Sequence, residues 1–391
     1  MVYSKFKDLD LSYLGFGAMR LPTTAPRGPI DEERAIELVR FAYEQGVNIF
    51  DTAFFYHGGG SELLLRKALS QFPRDTWYLA DKFPGHFIEH VPGGFKLGFD
   101  FLKDDEKVFK TPLEIFERQL KCCGVDHFDF YMIQCVAESS YDLYTDEKYG
   151  VVECMLEQKK AGRIRHLGLS THARADTLAK FLDIYDCFEY AMIQLNYLDW
   201  TLQEAGKKYE IATKHGMPVF VMEPVRGGKL ADPGEEAAAI LKEAKPDDTL
   251  ASWAFKYLQT LPNVAVVFSG MTTMEQLNEN LETFSKHDPL TEPELATLQR
   301  AANSMAEFVP CTECRYCNDA CTLGLDIAKL ITIYNEAAVE VSWLVHKALG
   351  TMTDAEKPGA CSGCAECCPV CPQGINIPDI MRKFERLIRK D

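Results

Sequence analysis

No window of the 391-residue sequence reaches the roughly 18 continuous apolar residues that a spanning helix requires, and the opening segment, Met1 to Gly17, lacks the apolar run of a secretory signal. Positive charge is also short. Lys and Arg number 42 against 58 Asp and Glu, giving a net charge of −16, and the acidic residues are dispersed along the chain. That balance argues against a nucleic acid or an anionic membrane surface as partner, and the chain reads as cytoplasmic. A G-x-G-x-x-G opening a first crossover is missing too, which disfavours a doubly wound dinucleotide fold. Apolar residues are not scarce: at 47% of the chain they suffice for a large core, and the length predicts one large domain or two unequal ones.

Cysteine is the other abundance. Disulfides are the wrong expectation for 14 cysteines in a large intracellular chain, where thiols stay reduced, so metal ligation becomes the default. Five of them (Cys122, Cys123, Cys135, Cys154, Cys187) are scattered and read as small core residues, while nine crowd between Cys311 and Cys371. Cys311, Cys314, Cys317 and Cys321 are spaced C-x2-C-x2-C-x3-C, and Cys361, Cys364, Cys367 and Cys371 repeat that spacing 50 residues later. The copy extends further, with Gly324-Leu325-Asp326-Ile327 matching Gly374-Ile375-Asn376-Ile377, so this is an internal duplication.

Three thiolates at two-residue intervals suit three corners of an iron–sulfur cubane, and the fourth typically ligates the other cluster of a pair. The spacing therefore predicts two [4Fe–4S] clusters, one on Cys311, Cys314, Cys317 and Cys371, the other on Cys361, Cys364, Cys367 and Cys321. Structural zinc is the competing reading, although zinc usually takes C-x2-C motifs in pairs around one tetrahedral ion. Cys368 falls outside the pattern. This segment resembles the two-cluster ferredoxins, with Thr322 where a proline usually follows the last cysteine of the first motif. The stretch from Asp326 to Ala348 keeps a helical apolar period closed by Gly350, which predicts a small, mainly α-helical ferredoxin-like domain over 305–391.

Residues 1–300 read differently. Eight short apolar runs (Leu14–Phe16, Val47–Phe50, Trp77–Ala80, Phe128–Ile133, His166–Leu169, Ala191–Leu195, Val219–Met222, Val264–Phe268) alternate with helical patterns. One helix follows Thr111-Pro112 and stops at Gly124; another starts at a Thr273-x-x-Gln276 capping box. This alternation predicts a (β/α)8 TIM barrel with its chemistry at the C-terminal strand ends. Asp51 and Lys82 stand at two such ends, with Tyr56 five residues beyond Asp51. A lysine charge lowers the pKa of a phenol and an aspartate keeps the lysine charged, so these three can form a proton-donating relay, although each also fits an ordinary rim residue.

The segment Asn48-Ile-Phe-Asp-Thr-Ala-Phe-Phe-Tyr-His to Leu65 resembles the aldo-keto reductase signature. The likeness continues through Ala80-Asp81-Lys82, Gly168-Leu169-Ser170, Gln194 to Tyr197, Met222-Glu223-Pro224, Ser269-Gly270-Met271 and Glu279-Asn280. It implies a barrel that binds a nicotinamide nucleotide, with Tyr56 as acid and Lys82 and Asp51 as its modulators. Ser170 and Gln194 would hold the carboxamide, Met222 would take the place of the aromatic that stacks on the nicotinamide, Ser269 would belong to the nucleotide site, and Glu279 and Asn280 would meet the adenine. Together with the cysteine segment, the chain resembles the iron–sulfur branch of that superfamily found in anaerobes. Two positions depart. Gln134 stands where the family has its catalytic histidine; it can donate a neutral hydrogen bond but cannot move a proton. Gly270 and Gln276 stand where members that prefer a 2′-phosphate carry a lysine and an arginine, so NAD(H) is expected over NADP(H).

The insertion from Pro84 to Lys110, rich in aromatics and glycine, reads as a substrate lid, with His86, His90 and His172 as possible stand-ins for the absent histidine. The leading expectation is an NAD(P)H-dependent oxidoreductase of a small organic carbonyl or activated alkene, its clusters serving electron transfer. A nicotinamide passes two electrons together and a cluster passes one, so the clusters would serve a redox partner such as a ferredoxin or flavoprotein, feed a substrate that accepts single electrons, or act structurally. The alternatives are a non-redox lyase or isomerase using Tyr56 and Lys82, and a redox-sensing binding protein with a vestigial site. No metal site is expected outside the clusters.

Overall fold

A computed structural model describes residues 1–26, 28–306 and 308–389. The chain divides into two compact units, Met1–Asp232 with Asp248–Glu292, and Pro233–Asp247 with Pro293–Asp391.

In the first unit the eight apolar runs become eight parallel strands, because runs apolar on both faces are stable only where both faces are covered. They are β1 (Leu14–Gly17), β2 (Ile49–Asp51), β3 (Tyr78–Phe83), β4 (Phe128–Val136), β5 (Ile164–Thr171), β6 (Ala191–Gln194), β7 (Val219–Met222) and β8 (Val264–Ser269). Each pairs with its neighbour in chain order and β8 returns to β1, closing the barrel. This is the (β/α)8 architecture. The interior is packed: Ile49, Ala80, Phe130, Met132, Met192 and Phe220 fill it, joined by Phe6 and Leu11 from an N-terminal hairpin (Tyr3–Phe6 and Leu9–Ser12). The Phe6 ring lies 5.2 Å from Phe130 and 5.7 Å from Phe220. Gly168 on β5 is required by this crowding, since a Cβ there would come within 2.4 Å of the Tyr190 ring.

The surrounding helices begin and end where the local chemistry dictates. Thr111 caps the helix Pro112–Cys123, whose first residue is a proline, and Gly124 closes it in the left-handed region at φ 67°. The Thr273–Gln276 capping box opens Met274–Thr283. The insertion after β3 is more ordered than a plain loop. It forms a three-stranded antiparallel sheet, Ile88–Val91, Gly94–Leu97 and Val108–Phe109, turning on Gly93 and Gly94, both at positive φ.

The second unit is mainly helical. Its core gathers Leu325, Ile327, Leu330, Ile331, Tyr334, Ile377, Met381 and Phe384. Helix Ile377–Ile388 buries Ile377, Ile380, Met381 and Phe384 at helical spacing. The apolar period from Asp326 to Ala348 is not one helix: Ile327–Val339 and Trp343–Gly350 are separated at Glu340, whose φ of −164° is extended. Among the described residues no helix is long and apolar enough to cross a membrane.

Candidate functional site

Parallel closure brings the C-terminal ends of all strands to one rim, and seven consecutive strands each deliver one of the residues singled out from sequence. Asp51 ends β2, Lys82 is next to last in β3, Gln134 lies in β4, Ser170 in β5, and Gln194, Met222 and Ser269 end β6, β7 and β8. Tyr56 follows on the β2 loop.

Lys82 is 2% exposed, and its Nζ lies 2.6 Å from Asp51 Oδ1 and 2.6 Å from the carbonyl oxygen of Thr52. The same ammonium sits 4.8 Å from the centroid of the Tyr56 ring. Burial opposes charge on Lys82, but Asp51 and then Tyr56 outweigh it and hold the ammonium above its usual range. Burial raises the Asp51 carboxyl, with Lys82 pulling it back. Tyr56 is pushed up to about 12 by burial, although Lys82 is the largest lowering influence, so the phenol is a held proton donor with no free phenolate at neutral pH. The lysine therefore moderates the phenol without bringing it below its ordinary value.

Gln134 is 7% exposed, and its Oε1 meets no hydrogen-bond donor among the described residues. The strand is distorted beside it. Cys135 has φ 57°, its N–H donates to Ser170 Oγ at 2.9 Å, and the β4–β5 register shifts between Leu169 and Thr171. Such a bulge re-aims side chains at a barrel rim. Because Ser170 Oγ accepts from Cys135, its own O–H is left to donate. Gln194 Nε2 donates to Asp199 Oδ2 at 2.8 Å, and Asn196 Nδ2 donates to the same oxygen at 2.6 Å. Arg226, 4% exposed, pairs with the other oxygen of fully buried Asp199. Asp199 was missed by reasoning from sequence, since it acts through Gln194. Arg226, a conceivable phosphate ligand, is occupied in this pair.

At the end of β8, Asn280 Nδ2 donates to Ser269 Oγ at 3.1 Å, both buried, whereas Glu279 is exposed. The Gln276 side chain is committed to capping, its Oε1 accepting from Thr272 N at 2.8 Å. Gly270 leaves room for Arg20: a Cβ there would stand 3.0 Å from the Arg20 Cβ. Arg20, whose Nη2 lies 3.7 Å from Glu223, is a cation beside Gly270 that sequence reading did not single out.

The insertion docks on the segment carrying Tyr56. Phe55 meets Tyr56 edge-on at 5.1 Å and packs on Phe87 at 4.6 Å and Phe99 at 6.1 Å. Phe101 lies over Gly59, and His86 lies 5.7 Å from Phe55. His90 instead packs within the small sheet, 5.0 Å from Tyr149, and His172 follows β5 with its N–H on the Val136 carbonyl. Behind Lys82, on the other side of β3, lies a second group that the sequence did not announce. Ligating atoms of Glu62, Asp81 and Cys123, all buried, fall within 4.8 Å of one another. Glu62 lacks a hydrogen-bond partner for either oxygen, and Asp81 Oδ1 accepts from Lys82 N at 2.8 Å. Burial raises both carboxyls, Asp81 to about 7. Arg118 Nη1 stands 3.8 Å from Glu62 Oε2.

In the second unit the duplicated motifs meet crosswise. One hollow is lined by Cys311, Cys314, Cys317 and Cys371, and another by Cys361, Cys364, Cys367 and Cys321. Every cysteine of the chain is free of disulfides. Between the cysteines the backbone turns through the left-handed region at equivalent places, φ 54° and 65° at Glu313 and Arg315 and φ 76° and 65° at Gly363 and Ala365. Non-glycine residues adopt this conformation only where the surroundings impose it, and such turns aim successive N–H groups into an anion-binding hollow.

Comparison with known proteins bears on the barrel and the residues up to 303. The aldo/keto reductase family model matches residues 13–303. A "Probable aldo-keto reductase 1" of Glycine max is 28% identical over 222 residues, 56% of this chain and 57% of the soybean protein, so the chain spans little more than half of that relative's length. The "NADH-specific methylglyoxal reductase" of Escherichia coli (strain K12) is 25% identical over 307 residues, 70% of this chain and 90% of that protein. Among solved structures, the holo form of aldo-keto reductase AKR11C1 from Bacillus halodurans is similar with a TM-score of 0.59 and 25% identity, covering 77% of this chain and 95% of that one. With the barrel, its rim and a family match across most of the sequence, the chain belongs to the aldo/keto reductase family, whose members are oxidoreductases.

Proposed function

We propose that the protein reduces a small organic carbonyl or an activated alkene with NADH, and that its second unit carries two [4Fe–4S] clusters that handle electrons singly. The observation that carries the first half is the buried Lys82–Asp51 pair, with Nζ 2.6 Å from Oδ1 and the ammonium under the Tyr56 ring. When bound, a reduced nicotinamide supplies hydride. Tyr56 gives its proton to the substrate oxygen, Lys82 offsets the phenolate that forms, and Asp51 keeps Lys82 charged. Gln134 donates a neutral hydrogen bond to the same oxygen, which suits a carbonyl that is only polarised and so favours an activated C=C beside the simple ketone. Ser170 offers its free O–H, and Gln194, fixed by Asp199, its Oε1, to the carboxamide. Asn280 and Ser269 line the adenosine end. NADH over NADPH follows from Gly270 and from the engagement of Gln276 in capping, and it agrees with the name of the Escherichia coli relative. Arg20, beside Gly270, is the cation we assign to the phosphates. The Phe55–Phe87–Phe99 packing supports a lid role for the insertion.

For the second unit, the crossed cysteine sets and the repeated left-handed turns fit a pair of cubanes better than one tetrahedral zinc. Bound there, a [4Fe–4S] cluster supplies one-electron capacity, so a ferredoxin or flavoprotein is the fitting partner. The domain boundary we adopt runs through residues 300–305, and the ferredoxin-like reading of 305–391 rests on the same cysteines. The test of the function is NADH consumption by anaerobically purified protein against a panel of carbonyls and activated alkenes. Equal moles of NADH oxidised and acceptor reduced support the reading. Turnover of a panel compound by elimination or isomerisation with NADH unchanged overturns it in favour of a lyase or isomerase using Tyr56 and Lys82.

A further inference from the structure

The two cysteine motifs are copies, so a difference between them at a position facing sulfur is informative. Thr322 follows Cys321 where Pro372 follows Cys371. Each lines the cavity opposite its own motif: Thr322 the one with Cys361, Cys364 and Cys367, and Pro372 the one with Cys311, Cys314 and Cys317. The Thr322 hydroxyl lies 3.9 Å from Cys364 Sγ. At the equivalent place a proline ring has neither an O–H nor an N–H to offer. Resting on the reading that each cavity holds a [4Fe–4S] cluster, we propose that Thr322 is a redox-tuning residue. Its hydroxyl donates to the Cys364 sulfur and gives that cluster a higher reduction potential than the proline of the copy would.

The reason is electrostatic. A donor on a thiolate draws electron density from sulfur and favours the more negative, reduced state of the cluster, and hydrogen bonds to sulfur are among the terms that set such potentials. Solvent access does not account for a difference, since Cys314 and Cys364 are both exposed. The copies differ elsewhere too, among other places at Asn318 and Cys368, where the Cys317 thiol meets Asn318 Oδ1 at 3.7 Å, and at Arg315 and Ala365. Arg315 lines the other cavity and shares its charge with Asp326 at 3.4 Å, and it stays in place when residue 322 alone is changed.

The experiment uses full-length protein reconstituted anaerobically, with iron and sulfide counted. It is titrated with dithionite, one electron per cluster, while the reduced clusters are followed by electron paramagnetic resonance. Thr322→Val, which keeps the shape and removes the donor, should move one midpoint to a more negative potential and leave the other in place. Thr322→Ser should keep the wild-type midpoints, and Pro372→Thr should move the other midpoint in the positive direction. A fully loaded Thr322→Val protein with both midpoints unchanged overturns the proposal. Should that variant load poorly, unchanged midpoints in Pro372→Thr do the same. Wild-type protein that takes up zinc and shows no titratable signal instead overturns the cluster reading itself, and the tuning role with it.

Discussion

The barrel rim and the cysteine unit solve the problem of assembling a site in opposite ways. The rim draws one side chain from each of seven strands, residues spread from Asp51 to Ser269, and fixes them by burial and by pairs such as Lys82–Asp51 and Arg226–Asp199. The cysteine unit draws the cysteines of both hollows from two short copies of one loop and completes each hollow with a residue from the other copy. Damage to the rim should therefore fall on one catalytic step. Damage to a crossing cysteine should reach one whole cavity while sparing the barrel.

The largest expected effect is at the rim. Tyr56→Phe should lower turnover on the order of 10²–10⁴, the usual scale of lost general acid catalysis, with NADH affinity and iron content unchanged. Full activity in this variant would remove the relay from the mechanism. Next in size, Cys371→Ser should remove about half of the iron, from the cavity of Cys311, Cys314 and Cys317, while Cys368→Ser removes none. Equal loss from both variants would make Cys368 a ligand and break the eight-cysteine assignment.

These two predictions draw on features that were unequally legible in the sequence. The eight barrel strands could be read because runs apolar on both faces leave few alternatives, and the cysteine sets because their spacing repeats. The break at Glu340 could not be read, since Val341, Leu344 and Val345 keep a helical period across it. The roles proposed for Tyr56, Lys82 and Ser170 come mainly from the family signature, because residues converging on a rim are far apart in the chain. Asp199, Arg20 and the Glu62–Asp81 pair carry no signal of their own. They matter through side chains that only closure of the barrel brings within reach.

Gln134 sharpens the comparison further, as one rim position can change without disturbing the rest. Gln134→His should raise ketone and aldehyde reduction several-fold, because imidazole is the stronger donor, and should lower the rate with an activated alkene. NADH affinity should stay constant in both assays. A smaller effect concerns the nucleotide. Binding titrations should find NADH at least as tight as NADPH, and Arg20→Ala should weaken both by a similar factor. A marked NADPH preference that disappears in Arg20→Ala would assign Arg20 to a 2′-phosphate.

The smallest effect is on stability. Glu62 and Asp81 have folded-state values raised by burial, Asp81 to about 7. Groups raised on folding stabilise most below their unfolded values near pH 4, and that contribution is lost as pH rises through the folded values. Thermal unfolding should accordingly show a loss on the order of 1–3 kcal/mol between about pH 5 and pH 8, the cost of ionising buried carboxyls. Glu62→Gln, which donates without titrating, should flatten that dependence.

The claim that two separate chemistries share this chain is tested most directly by iron and acid-labile sulfide analysis of anaerobically purified protein. The account predicts about eight of each per chain, from two cubanes. Zinc at about one or two per chain with no labile sulfide would contradict it.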